Sequence, residues 1–210
     1  RQRFSCPYHG WTYNEDGSLM GITSQQDFGN LEKNCNSLIS LPILEKAGII
    51  WVILNSESNI NMEKFLSGYD EMLDLFDLKN WHVFSTRVLK GPNWKVAYDG
   101  YLDLYHLPVL HSETFGKEIS NQANYYEWGP HQRVVSPFAR ISSSEQGGVL
   151  EGDPNVPIED WPMDMLMAGV WTIFPNVSIA SLRGGGRSIM LSQLMPGETP
   201  EESYTTQYYL

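Results

Sequence analysis

Asp99-Gly100-Tyr101-Leu102-Asp103-Leu104-Tyr105-His106-Leu107-Pro108-Val109-Leu110-His111 is the stretch on which the reading of this chain turns. It sets two imidazoles, His106 and His111, five residues apart, with the carboxylates Asp99 and Asp103 just upstream. Neutral imidazole is the commonest protein ligand for iron, zinc and copper. A metal-bound histidine normally gives its other ring N–H to a carboxylate, which fixes the tautomer and aims the lone pair. On a continuous helix Asp99, Asp103 and His106 stand at i, i+4 and i+7 on one face, with Asp103 placed to support His106. His111 would lie well off that face. Pro108 disfavours helical geometry at Leu107 and removes a backbone donor, so the sequence predicts a bend between the histidines that lets both rings converge on one ion. Taken alone, the stretch also fits a solvated acidic helix end with two incidental histidines.

A second cluster lies near the start, at Phe4-Ser5-Cys6-Pro7-Tyr8-His9-Gly10-Trp11-Thr12-Tyr13. A thiolate and an imidazole with two residues between them, in a tight loop of proline, glycine and aromatics, suit a metal or iron–sulfur site. With Gly17-Ser18-Leu19 following, this segment resembles the second half of a Rieske [2Fe–2S] motif, in which two cysteines hold one iron and two histidines the other. Asn93-Trp94-Lys95 running into Asp103, His106 and His111 resembles the mononuclear-iron motif of Rieske-type ring-hydroxylating oxygenases, alpha (large) subunit. The two motifs stand in the family's order. Leu41-Pro42 with Gly48-Ile49-Ile50-Trp51-Val52 between them, and Phe174-Pro175-Asn176 after them, also match.

The resemblance implies an α+β chain, in which the C-terminal part of a small all-β Rieske domain (residues 1–56) precedes a helix-grip, START-like catalytic domain with an antiparallel sheet (residues 57–210). Cys6 and His9 would bind the [2Fe–2S] cluster, one on each iron. His106 and His111 would be two of the three ligands of a 2-His-1-carboxylate site that leaves positions open on Fe(II). Asp103 matches the bridging aspartate that links His106 to the Rieske histidine of a neighbouring subunit, so electrons would pass between the irons there. Asp99 and Leu107 would shape the substrate pocket. A ring-shaped homotrimer is implied, often with a small beta subunit, and electrons would come from a ferredoxin or flavin reductase. The activity implied is hydroxylation or oxidative dealkylation, with O₂, of an organic substrate expected to be aromatic. The other Cys-x-His of the Rieske motif and the carboxylate ligand are expected outside the sequence, which on this reading is an internal fragment. Asp153, Asp160, Asp164 and Glu198 come too early to be that carboxylate.

Bulk properties agree with such a protein. The 210 residues are 41% hydrophobic, enough to bury a core, and carry a net charge of −11. That charge disfavours nucleic acid and anionic membranes as partners. No run approaches the roughly 20 apolar residues of a membrane helix. The chain opens on Arg1-Gln2-Arg3 with no secretory pattern, and a cytoplasmic location is expected. Cys6 and Cys35 could pair, but a chain of this size needs no such staple, and Cys35 reads as a half-buried thiol.

Local patterns predict the elements. Asn14-Glu15-Asp16-Gly17 marks a hairpin, and Ala47 to Leu54 is a short apolar, β-rich run bounded by Gly48 and Asn55. The polar run Asn55 to Asn61 reads as a linker, with Asn61 capping a helix whose Phe65, Tyr69, Met72, Leu73 and Phe76 form a core stripe. Trp81 to Leu89 alternates like a strand. Asn93 caps a helix carrying Trp94, Ala97, Tyr98, Tyr101 and Tyr105, with Trp94 and Tyr105 read as packing residues. Val170 to Leu182, Ile189 to Leu194 and Tyr204 to Leu210 read as strands, and Arg183 to Arg187 as a hairpin turn. Ser142 to Asp164 reads as an exposed loop. His82 and His131 read as surface or hydrogen-bond-satisfied histidines, His131 in a loop. Two further functions are compatible with the motifs: a Rieske electron carrier that needs Cys6 and His9 but not the later histidines, and a hydrophobic-ligand-binding module without iron.

Overall fold

The computed structural model describes residues 3–115, 123–135, 169–181 and 188–210, and these form two compact units. The predicted loop at Ser142 to Asp164, its acids Asp153, Asp160 and Asp164, and the turn at Arg183 to Arg187 lie outside the described residues.

The first unit comprises residues 1–45 and 50–60. Strands β1 (Arg3–Ser5), β2 (Thr12–Asn14) and β3 (Leu19–Gly21) make an antiparallel sheet in that order. The predicted hairpin turn joins β2 to β3. The Asn14 carbonyl accepts from Gly17 N–H, and Asp16 Oδ1 takes both the N–H and the hydroxyl of Ser18. Short 3-10 turns follow at Gln25–Phe28 and Lys33–Asn36. Strands β4 (Ile43–Lys46) and β5 (Ile49–Val52) form a separate hairpin. Cys35 is exposed rather than half-buried, its thiol turned to Glu32 in a polar turn, and it makes no disulfide with Cys6.

The second unit, residues 46–49 and 61–210, begins with α1 (Met62–Leu66), capped by Asn61 Oδ1 on the Lys64 N–H at 2.9 Å. The expected aromatic stripe runs on into α2 (Tyr69–Asp74). The helix does not continue between them, because Ser67 and Gly68 take left-handed conformations. That break seats Tyr69, Met72, Leu73 and Phe76 in the core.

A seven-stranded antiparallel sheet follows. It uses β6 (Ser85–Gly91), β7 (Asn124–Trp128), β8 (His131–Val135), β9 (Val170–Ile173), β10 (Val177–Ser181), β11 (Ile189–Pro196) and β12 (Ser203–Tyr209), in the order β6-β12-β11-β10-β9-β8-β7. Strand β6 starts at Ser85, not Trp81: the Trp81 indole turns back to the Phe76 carbonyl at 2.7 Å and holds the chain out of the sheet. The expected strand Val170 to Leu182 is two strands, divided at Phe174-Pro175-Asn176. The β7–β8 hairpin was not legible in the sequence, and it moves His131 from a loop to the head of β8.

Neighbouring residues of a strand face opposite sides of the sheet. On one side fully buried Trp171 packs against Tyr69 and Phe76, with ring centres 5.6 and 5.4 Å away. On the other side its neighbour Thr172 meets Tyr98 of α3 (Trp94–Leu102), which lies across β9 to β12. Beyond α3 come the one-turn helices α4 (Leu107–Leu110) and α5 (Ser112–Phe115). Among the described residues no helix is long and apolar enough to cross a membrane.

Candidate metal centres

The loop between β1 and β2 holds Cys6 and His9. The Cys6 N–H donates to the Trp11 carbonyl at 2.8 Å, and the Gly10 N–H returns to the Cys6 carbonyl at 2.9 Å. Gly10 has φ +73°, and a Cβ there would lie 2.4 Å from Thr23 Oγ1, so the turn requires glycine. The Cys6 and His9 residues are exposed, and the His9 ring lies edge-on to Tyr8 at 3.8 Å. A thiol and an imidazole offered from one narrow turn suit half the donor set of a Cys₂His₂ iron–sulfur cluster.

The second site forms where α3 ends. Asn93 caps α3 with its side-chain oxygen on the Lys95 N–H (2.9 Å), as expected from the sequence. The helix stops at Leu102, and Asp103 is extended with φ −91° and ψ 108°. Asp99, Asp103 and His106 therefore do not share a helix face. The bend also falls before His106 rather than at Pro108. Asp103 Oδ1 accepts the Tyr105 N–H at 2.7 Å, a side-chain turn that competes with the helix at that point. Pro108 lies instead in the first turn of α4, where its missing N–H costs nothing. Leu104 is buried below the break, while Tyr105, expected to pack, is 69% exposed.

His106 and His111 flank α4, and their ring centres lie 5.3 Å apart at an interplanar angle of 64°. Two imidazoles on adjacent positions of one ion, bonded at about 2.1 Å, put their centres roughly 5 Å apart, so the pair fits a shared metal. The Asp103 carboxylate Oδ2 stands 3.4 Å from His106 Nδ1, longer than a good hydrogen bond, and that ring nitrogen faces the carboxylate. Nε2 of His106 is then the atom left for a metal. Asp99 is exposed and Leu107 half-buried, on either side of this break. Among the described residues no third His, Cys, Asp or Glu joins the pair in a metal-ligating group.

Other side chains tie the helix in place. The Tyr98 hydroxyl bonds to the Thr172 side chain; burial pushes its pKa up, that bond pulls it back, and the Asp99 charge adds to the rise. Tyr125 of β7 donates its hydroxyl to the Leu102 carbonyl at 2.8 Å. Neither contact carries a local sequence signal, since each joins residues far apart in the chain. His131 is fully buried: it meets the Phe65 carbonyl through Nε2 (2.9 Å) and accepts the Phe174 N–H at Nδ1 (3.2 Å), a satisfied core histidine.

Both segments match known protein families. Residues 78–210 match the family model described as the ring hydroxylating alpha subunit (catalytic domain), and residues 1–39 match the Rieske [2Fe-2S] domain. The chain belongs to the Rieske-type ring-hydroxylating alpha subunits. These domains imply a Rieske cluster and a mononuclear Fe(II) as cofactors. Among relatives of this alpha-subunit chain, the carnitine monooxygenase oxygenase subunit of Acinetobacter baumannii is 30% identical over 173 residues, covering 80% of this chain and 43% of that protein. The N,N-dimethyl phenylurea N-demethylase subunit alpha of a Sphingobium species is 31% identical over 119 residues, 51% of this chain and 25% of that one. A solved quaternary ammonium Rieske monooxygenase shares the fold with a TM-score of 0.73 at 19% identity, over 100% of this chain and 52% of that one. The chain thus spans about half the length of the relatives it matches, or less. The expected fold class holds, with β strands first and an antiparallel catalytic sheet after. The matched relatives are named as oxygenases or a demethylase, and the electron-carrier reading finds no support among them.

Proposed function

We propose that this protein is the oxygenase component of a Rieske non-haem iron system, with residues 1–56 serving the cluster and residues 57–210 the mononuclear iron. The observation that carries the reading is the convergence of His106 and His111 at 5.3 Å, with Asp103 beside His106. Bound there, Fe(II) would supply O₂ activation and the cluster its electrons. In this reading His106 and His111 hold the iron on one side of the α3–α4 break, and Asp103 keeps the proton on Nδ1 of His106 while linking that ring to the Rieske histidine of a neighbouring subunit. Asp99 and Leu107 shape the pocket. Electrons would arrive from a ferredoxin or flavin reductase, in a homotrimer with or without a small beta subunit, in the cytoplasm.

The substrate we favour is an organic molecule with an N-alkyl group on an ammonium or urea nitrogen, oxidised at the carbon next to that nitrogen. Two of the relatives above are named for carnitine and for an N,N-dimethyl phenylurea, and this shifts the choice from an aromatic hydrocarbon. The test is His106→Ala and His111→Ala in the complete protein. Each should remove the mononuclear iron and lower turnover by more than the roughly 10- to 100-fold that loss of an outer-shell partner costs, with the Rieske visible spectrum intact. Turnover at the wild-type rate in either variant would refute the assignment.

A further inference from the structure

The break after Leu102 determines where His106 points, and one hydrogen bond closes the helix at that residue. The last carbonyls of a helix have no acceptor role within it and need outside donors. Asp103 N–H makes the final helical bond, to Asp99 O at 3.0 Å, before the backbone leaves the helix. The Leu102 carbonyl, one residue before the break, accepts the Tyr125 hydroxyl at 2.8 Å across 23 residues of sequence. Tyr125 stands on β7, where it pairs with Val134 of β8, itself fully buried. The edge of the sheet is therefore tied directly to the end of α3. The helix start is tied as well, through Asn93 Nδ2 on the Pro200 carbonyl.

We infer that Tyr125 is a positioning residue for the mononuclear site: its hydroxyl holds the Leu102 carbonyl at the end of α3 and so braces the Asp103 turn from which His106 is aimed at His111. It touches neither metal nor substrate. This rests on the proposed iron-binding role of the histidine pair. Tyr125→Phe removes one oxygen from a half-exposed ring and leaves its strand pairing intact, so the sheet folds.

In the complete, metal-free protein, amide exchange at Asp103 and Tyr105 should quicken roughly two- to tenfold in Tyr125→Phe, the worth of one hydrogen bond, while amides of β10 and β11 keep their rates. Loaded with Co(II) at the mononuclear site, Tyr125→Phe should show an altered ligand-field spectrum and several-fold weaker Co(II) binding. Tyr125→Trp, which restores an N–H donor, should recover part of both. Wild-type exchange rates together with a wild-type Co(II) spectrum would overturn the role. Should the wild-type protein bind no Co(II) that depends on His106, the iron reading itself fails, and the exchange rates alone then decide what Tyr125 does.

Discussion

The two candidate centres are built by opposite means. In the first unit, Leu19 is the one buried hydrophobic residue among those described, while Phe4, Phe28, Ile39, Ile43, Ile50 and Leu54 stay at least 47% exposed. Cys6 and His9 are shaped there by backbone hydrogen bonds around a tight turn. In the second unit Leu66, Tyr69, Leu73, Trp171, Ile179 and Leu194 are all 1% exposed or less, and the histidine pair hangs from helices seated on that core. Among the described residues the first centre rests on a hydrogen-bonded turn and the second on packed side chains, and a centre held by fewer packed contacts depends more on what it binds. The contrast predicts that metal loss affects the two units unequally.

The largest effect should follow Cys6→Ser. Losing one thiolate should remove the cluster absorbance and lower amide protection over residues 3–21, where the turn that presents Cys6 and His9 is held by backbone hydrogen bonds. Peptides from β9 to β12 should be unchanged. Exchange followed by mass spectrometry checks both halves at once. First-unit peptides as protected as in the wild type would show that the turn is preformed, and would erase the contrast.

A smaller effect separates the histidines by role. His131 is enclosed by the Phe65 and Tyr69 rings, at 4.8 and 5.0 Å, and is bonded at both nitrogens. Burial holds its pKa below the ordinary 6.5, against the pull of the Phe65 carbonyl. The folded state therefore takes up a proton less readily than the unfolded chain. The contribution of His131 to stability is full above about pH 6.5 and falls as the pH drops below it, by at most about 1.4 kcal/mol per pH unit until the lowered folded value is passed. Tyr69 titrates far above this range, its own pKa raised by burial. Urea unfolding read by tryptophan fluorescence from pH 7.5 to 5 should show the decline, and His131→Gln should flatten it. An equal slope in the variant would assign the pH dependence to other groups.

The sequence disclosed contacts that are local and hid those that are not. Asn61 and Asn93 were readable as caps because an N-cap bonds a backbone N–H two or three residues on. The Cys6–His9 turn and the His106–His111 pair were readable because each lies within six residues. The place of the helix break is not legible in the sequence: Pro108 is a visible breaker, whereas the stronger competitor is the Asp103 side chain bonding the Tyr105 N–H. An aspartate offers the same composition whether it stays on a helix or turns back on its own backbone. The β7–β8 hairpin was hidden because its strands join at Gly129-Pro130 with a charged and aromatic mixture that does not alternate cleanly. Arg133 shows why: its guanidinium is buried 4.8 Å over the Trp171 ring, a position no charge pattern reveals.

The finest test asks how far the second unit is a scaffold independent of its metal. Gly100 sits inside α3, exposed, and a Cβ added there meets nothing within 4 Å. Glycine in a helix interior costs about 1 kcal/mol relative to alanine through backbone freedom lost on folding. Gly100→Ala should therefore raise the stability of the metal-free protein by about that amount, seen as a higher urea midpoint with an unchanged slope. Because Gly100 is three residues from Asp103 and on the exposed side of the helix, the gain should come without any change in the Co(II) spectrum of the histidine pair. A stabilised protein with an altered spectrum would mean that α3 must flex for His106 and His111 to close on the ion. In that case the second centre is shaped by its metal too, and differs from the first in degree and not in kind.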